Sequence, residues 1–504
     1  MNILVKSGEA TAATTDVLVC LEYEQDKTWS KAVQPVDQKL GGQLNTLRKS
    51  GEFSGKPNNT ALLHIDGKLA AKRVLLVGLG TRETVTLERI RQAMGTAAKR
   101  ARTAKAKGIA CVMPDVPKST GPIDDVAQAM VEGIVLGDYR FNEYRTDRTD
   151  RTDDNHSLQS CTLLTTSNAH LNEAKDGAKR GQILGEATCF VRDLCNHPAN
   201  VMTPSRVVTE AKKIAREAKV RLKVLDRKQQ EKLGMGGLLG VSRGSIEPPQ
   251  FIILEYMGGP RTQKPIVFVG KTVTFDSGGI SLKPSENMEQ MKADMTGGAE
   301  VLATIRAASR LKLPVNAIGL LPVTENMPGG RATKPGDILT MLSGKTVEVQ
   351  NTDAEGRLIL ADGLAYASRL KPACVIDIAT LTGAAAVALG QFAIGMLGND
   401  DTMKADLKKS GNHAGERVWE MPLWDEYFEQ LKSDVADMRN IGGRGGGMIT
   451  AAMFLSKFVG DHPWVHLDIA STDWGTTERP YVPKGPTGIG TRLLIQYLLN
   501  HANR

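Results

Sequence analysis

The sequence predicts an α/β protein: an N-terminal α/β domain followed by a larger α/β/α domain on a mostly parallel central sheet. Three observations lead there. Strand-like and helix-like periodicities alternate along the 504 residues. Several strand-like runs are continuously apolar, as in a sheet covered on both faces. Glycine is abundant, at 51 residues against 8 Tyr and 5 Trp, which suits tight turns between elements better than an aromatic binding surface.

In the first part, residues 17–23 (VLVCLEY), 61–65 (ALLHI), 73–77 (RVLLV) and 109–113 (IACVM) read as strands, and 86–107 and 123–138 have helical spacing. Residues 145–154 repeat the triplet RTD with balanced charge and no apolar side chain, so they read as an exposed loop. Helical spacing returns over 171–195. The expected organisation is therefore a domain over 1–165, a helical linker over 166–195 and a second domain over 196–504. In that second domain the strands expected are 221–225, 250–256, 265–269, 314–321, 345–350, 373–379 and 464–470. Helices fit 205–219, 297–311, 358–370 and 489–500. Helices between strands imply parallel pairing, and such sheets bind ligands beyond the carboxyl ends of their strands. Asp353 follows the end of 345–350.

Composition narrows the function classes. Hydrophobic residues make up 41% and charged residues 24%, ordinary for a globular chain. A net charge of +8 permits attraction to an anionic surface without requiring it. The six cysteines are scattered with no C-x-x-C pair, which reads as reduced and cytoplasmic. No run approaches the roughly 18 apolar residues of a membrane span, and the N-terminal stretch lacks a signal-peptide core.

Several motifs fail on context. Gly240-Val-Ser242-Arg-Gly244 matches a nucleophile elbow, but Pro248 and Pro249 prevent the helix that must follow, so a glycine-rich loop is expected. Gly78-Leu-Gly80 lacks the third glycine of a dinucleotide fingerprint, since Glu83 stands there. His462 and His466 are separated by Pro463, and His466 inside an apolar strand reads as a hydrogen-bonded core histidine. The basic residues of 86–107, including Arg91 and Arg102, read as a solvated helix face, with no interleaved aromatics for nucleic acid.

One constellation survives. Lys271, Asp276, Asp294, Asp353 and Glu355 all fall at or just past strand ends or at helix starts, with Lys283 and Arg357 close by and glycines at 278, 279, 297, 298 and 356. A single Asp in such a place is usually a cap. Four acids at successive corners would repel one another unless cations neutralise them. Two divalent ions would balance the four charges, and oxygen ligands suit manganese, magnesium and zinc.

The stretch Asn351-Thr-Asp-Ala-Glu-Gly-Arg-Leu358 resembles the signature of the leucyl (cytosol) aminopeptidases. The resemblance extends through Phe275-Asp276-Ser-Gly-Gly279, Ile280-Ser-Leu-Lys283-Pro-Ser285, Glu325-Asn-Met-Pro-Gly-Gly-Arg331, Lys334-Pro-Gly-Asp337 and Thr380-Leu-Thr-Gly383. One departure is Thr272-Val273, where the family has Gly-Leu.

The resemblance implies that the 196–504 domain is a dinuclear-metal aminopeptidase domain that uses a two-metal-activated water. It implies that Asp276 and Glu355 bridge two divalent ions, manganese or zinc. Asp353 would complete one site, and Lys271, as a neutral amine, and Asp294 the other. Lys283 and Arg357 would be the catalytic pair, with bicarbonate at Arg357. Met291, Asn351, Thr380 and Gly383 would contact a peptide substrate that begins with Leu or another hydrophobic residue. The family also implies a cytoplasmic homo-hexamer. Rival expectations are a two-metal phosphoesterase and an added DNA-binding role; nucleic acid is not the expected partner.

Overall fold

A computed structural model of the chain describes residues 1–24, 26, 28–146 and 157–502. Most of the RTD repeat lies outside the described residues. The chain divides into two units, Met1–Glu186 with Thr477–Pro483, and Ala187–Thr476 with Lys484–Arg504.

The first unit is built on a six-stranded sheet in the order Asn2–Ser7, Ser160–Thr165, Gly108–Val112, Val17–Glu22, Arg73–Gly78, Thr60–His64. All neighbours are parallel except the last pair. Its central strand, Val17–Glu22, is buried at every position. Val17, Val19 and Leu21 join one core cluster, while Leu18 and Cys20 join the other. A strand whose alternate side chains meet two cores has no polar face to show, which is why it reads as an unbroken apolar run. The outer strands Asn2–Ser7 and Ser160–Thr165 were not expected, and neither were the short helices Gln34–Lys39 and Gln43–Lys49, which span too few turns to show a period.

Helix Leu87–Thr103 starts where the Thr86 hydroxyl accepts the Arg89 amide at 3.2 Å. It packs closely on helix Ile123–Asp138: a Cβ at Gly133 would lie 2.3 Å from the Arg91 carbonyl oxygen. The expectation of a solvated basic face holds at the exposed Arg100, Lys105 and Lys107 and is corrected at Arg91 and Arg102. Arg91 is buried, with Nε 2.6 Å from Glu132 and Nη1 2.8 Å from Glu88. Arg102 is buried too and donates to the Gly137 carbonyl at 3.2 Å. These charges face inward because the opposite helix supplies carboxylate and carbonyl acceptors.

The second unit carries a nine-stranded sheet, in the order Val418–Glu420, Ile394–Gly398, Trp464–Asp468, Cys374–Ala379, Ile266–Gly270, Asn316–Asn326, Gln250–Met257, Arg221–Leu225. Strand Thr272–Asp276 extends it by pairing with Asn316–Asn326. The centre is parallel; antiparallel pairs lie toward both edges. Val267, Val269, Ile318 and Leu320 pack with helix Gly356–Ser368 in one core. Gly319 points to the other face, where Val301 and Ile305 of helix Thr296–Leu311 come so near that a Cβ would sit 2.6 Å from Val301.

Two further expectations are corrected. Residues 345–350 do not form a strand of the central sheet. Thr346–Glu348 pairs instead with Ile338–Thr340 and Met438–Arg439 in a separate three-stranded sheet, so Asp353 does not follow an end of the large sheet. Ser242 is not in a loop: helix Gly236–Val241 runs into the 3-10 turn Ser242–Gly244, and the buried Ser242 hydroxyl donates to Leu239 at 2.9 Å. His466 is a buried core residue whose Nδ1 lies 2.6 Å from Asp377, as its strand position suggested. Among the described residues no helix is long and apolar enough to cross a membrane.

The Arg91–Glu132 pair sets a measurable cost. Arg91→Met is expected to destabilise the protein by about 3–5 kcal/mol, because it leaves Glu132 buried without its counter-charge. In denaturant melts, Arg91→Met combined with Glu132→Gln should recover part of that loss.

Candidate metal centre

Three neighbouring parallel strands end at one place. Lys271 follows Ile266–Gly270, Thr380 follows Cys374–Ala379, and Ala470 lies just past Trp464–Asp468. All three residues line a cavity of about 460 Å³. The sheet therefore delivers its ligand-bearing residues at carboxyl ends, as open α/β sheets do.

Asp276 arrives through an irregularity. Strand Thr272–Asp276 shifts register against Asn316–Asn326 between Val273 and Asp276, and such shifts re-aim side chains. Asp276 Oδ1 accepts from Asn326 Nδ2 at 2.8 Å and from the Gly278 amide at 2.9 Å. The same Asn326 amide donates to the Thr352 carbonyl at 3.0 Å. Thr352 in turn donates to Gly278 at 2.7 Å. The loop carrying Asp353 and Glu355 is thus tied to the strand carrying Asp276. At Thr272, the first residue of the Thr272-Val273 departure, the hydroxyl donates to the Gly270 carbonyl at 2.8 Å.

Neither Asp294 nor Glu355 serves as a helix cap. The residue before helix Thr296–Leu311 is Met295, with no side-chain cap bond. Glu355 sits at the N-cap of helix Gly356–Ser368, but its carboxylate makes no cap bond. Asp294 Oδ2 and Glu355 Oε2 are buried without a hydrogen-bond partner. Two buried carboxylate oxygens in one wall, neither capping nor donated to, are acceptors awaiting a cation.

Two lysines reach into the acids. Lys271 Nζ lies 2.8 Å from Asp294 and 2.9 Å from Glu355, and donates to the Thr380 carbonyl at 2.9 Å. Lys283 Nζ lies 2.9 Å from Asp276 and 2.5 Å from Asp353. Burial pulls Lys271 toward the neutral amine, but Asp294, Glu355 and Asp276 outweigh it and raise its pKa. The same contest, with Asp276 and Asp353, raises Lys283. Burial raises Asp294, Glu355 and Asp353, and the Asp276 charge adds to each. Four acids against two ammonium groups leave two negative charges uncompensated. One oxygen each from Asp276, Asp353 and Glu355 lies within 4.8 Å of the others, a spacing that can hold a metal ion. This oxygen-rich donor set fits a divalent cation.

Arg357 is anchored from behind. Its Nη1 donates to the Asn440 carbonyl at 2.9 Å, and its buried Nε has no partner. Burial lowers its pKa to about 10, against the pull of Glu355. Met291, Asn351, Thr380 and Gly383 all line the cavity, as do Lys271, Asp276, Lys283, Asp294, Asp353 and Arg357. Glu355 is buried beneath it.

Sequence reasoning gave no role to Asn326, Asn440, Asp468 or Asp473. Asp468 accepts from the Thr382 hydroxyl at 2.7 Å and the Leu381 amide at 3.2 Å, and so shapes the loop that lines the cavity. Asp468 and Asp473 could have been found by the signal that found Asp276, an acid at the carboxyl end of an apolar run. Asn326 and Asn440 left no such signal, since each acts through backbone groups distant in sequence.

The chain is similar to known proteins along most of its length. The model of the cytosol aminopeptidase family, catalytic domain, matches residues 189–495, and that of the same family's N-terminal domain matches 17–148. A "Probable cytosol aminopeptidase" of Geobacter sp. (strain M21) is 46% identical over 503 residues, covering 99% of each chain. A mutant of tomato leucine aminopeptidase superposes with a TM-score of 0.89 at 32% identity, covering 99% of this chain and 96% of that one. The bottromycin maturation enzyme BotP in complex with Mn gives 0.84 at 34% identity, covering 97% of this chain and 100% of that one.

Gly356 tests the wall. A Cβ there would lie 2.6 Å from Lys271 Cε and 2.7 Å from its Nζ. Gly356→Ala is expected to push Lys271 off Asp294 and Glu355, lowering metal content in elemental analysis at a stability cost of about 1–3 kcal/mol. Gly297→Ala should cost more in the same melts, because its Cβ would meet the Ile378 carbonyl oxygen at 2.2 Å, and backbone cannot swing aside.

Proposed function

Since the chain belongs to the cytosol aminopeptidase family and is a metal-dependent aminopeptidase, we propose that it removes the N-terminal residue of peptides with two divalent ions, manganese or zinc, held in this cavity. The observation that carries the reading is the wall of four acids and two lysines with unpartnered oxygens on Asp294 and Glu355. Asp276 and Glu355 would be shared between the ions, Asp353 would serve one, and Lys271 and Asp294 the other. Bound there, the ions would supply Lewis-acid polarisation of the scissile carbonyl and acidify a water.

The remaining work falls to the chain. Lys271 would hold an ion only as the neutral amine; burial favours that form, while Asp294, Glu355 and Asp276 favour the ammonium, and a dication beside them would offset their pull. Lys283, partly exposed and lining the cavity, pairs with Asp276 and Asp353 here, and would neutralise charge developing on the carbonyl oxygen if ions took over those acids. Arg357 lines the cavity and its buried Nε has no hydrogen-bond partner, the feature that supports a bicarbonate there as proton acceptor.

Selectivity for a chain end follows from the α-amine, which an internal peptide bond lacks. Met291, Thr380, Gly383 and Ala470 in the lining support an apolar first residue such as leucine. No histidine is among the residues lining this cavity, which disfavours the phosphoesterase alternative. Exposed Phe392, Trp419 and Trp424 on the second unit support assembly into the hexamer the family implies. Five of the six cysteines are buried, which suits a cytoplasmic setting. A DNA-binding role has no feature of the structure to favour it.

Glu355→Gln is expected to keep the fold, lose both ions together and cut turnover of leucyl amides by more than about 100-fold. Full activity with both metals retained would refute the shared-ligand role. N-acetylated peptides should be turned over far more slowly than the free-amine forms; equal rates would remove the role assigned to the amine.

A further inference from the structure

Beyond the metal ligands, the cavity contains one more acid, Asp473. Nothing in the proposed reaction uses it. It stands five residues past Asp468, where the chain turns away from the end of strand Trp464–Asp468. The turn is fixed: the Asp473 amide donates to Ile469 at 2.9 Å, and the Asp473 carbonyl accepts from the Thr487 amide at 2.8 Å. The Asp473 carboxyl group accepts from the Trp474 amide but has no ion-pair partner among the described residues.

Its position in the cavity is informative. It lines the same cavity as Lys271 and Asp294, and the Lys271 charge acts on it. Met291, Thr380 and Ala470 line the same cavity, and Thr380 donates to Asp294 at 2.6 Å. A second acid lies within its electrostatic reach. Glu300 is fully buried, neither of its carboxylate oxygens has a hydrogen-bond partner, and its charge and that of Asp473 act on each other. The cavity lining therefore sets the apolar Met291 and Ala470 beside an acid with no cation partner among the described residues.

Resting on the aminopeptidase reading, we propose that Asp473 is a specificity-determining residue that lets the pocket select a first residue with a cationic head, lysine or arginine, over an uncharged side chain of equal length. The methylene stem would lie along Met291 and Ala470, and the head would meet Asp473. A buried cation needs a paired counter-charge, and a buried acid needs a cation, so each removes the other's desolvation cost. Leucine would still enter, but it would leave the acid unmatched. Burial, reinforced by Asp468, raises the Asp473 pKa to about 7, as expected of a carboxylate that lacks its cation.

Lysyl and norleucyl amides share a four-carbon stem and differ in the ammonium, which makes them the probe pair. The measurement is kcat/KM for lysyl, norleucyl and leucyl amides on the manganese-loaded full chain, for the parent protein and for Asp473→Leu and Asp473→Asn. The parent should favour lysyl over norleucyl amide. Asp473→Leu should lower that ratio at least about 10-fold, and Asp473→Asn should fall between. If leucyl amide is hydrolysed but the lysyl-to-norleucyl ratio is the same in parent and both variants, the selectivity role is overturned and the aminopeptidase reading stands. If the parent hydrolyses none of the three, the aminopeptidase reading fails and this inference with it.

Discussion

Four acids brought into one buried wall govern this structure. Each of Asp276, Asp294, Asp353 and Glu355 would be costly to ionise alone in that place, and together they repel. Lys271 and Lys283 offset half of the charge and bridge the acids in pairs. The rest is left for cations. A wall of this kind costs stability unless something binds it, so its persistence in a well-packed domain marks it as functional.

Holding such a wall demands a stiff frame. The frame comes from groups that are themselves uncharged or fully satisfied. Asn326 ties Asp276 to the Thr352 loop, Asn440 supports Asn351 and Arg357 through backbone contacts, and Asp468 fastens the loop after Thr380. Glycine does the rest where atoms crowd, above all at Gly356 against Lys271 and at Gly278, whose φ of +88° suits no other residue well. Side chains fixed this way need little reorganisation when ions and substrate arrive, which favours catalysis at a two-ion centre.

The same frame separates chemistry from selection. The four acids and Lys271 sit at or just past strand ends, or just ahead of helices Thr296–Leu311 and Gly356–Ser368. The residues facing the rest of the cavity come from loops after strand ends, at 380–384, 441–447 and 470–473. Such loops can vary without disturbing the sheet. Asp473 is an instance: a change there alters what the pocket meets and leaves the metal wall in place.

Sequence alone determined the α/β class, the parallel centre of the large sheet, the longest helices and the five candidate ligands. It could do so because these leave local signatures. A strand buried on both faces must be apolar throughout, as Val17–Glu22 and Cys374–Ala379 are, and an acid at a strand end stands out against such a run. Only the tertiary structure decided the rest. It removed Thr346–Glu348 from the central sheet, turned Arg91 and Arg102 inward, freed Asp294 and Glu355 from capping and set Asp473 in the cavity. Each of those outcomes depends on a partner far along the chain, such as Met438 for Val347 or Glu132 for Arg91. Local periodicity contains no information about which distant group will arrive, and burial and charge compensation exist only after it has.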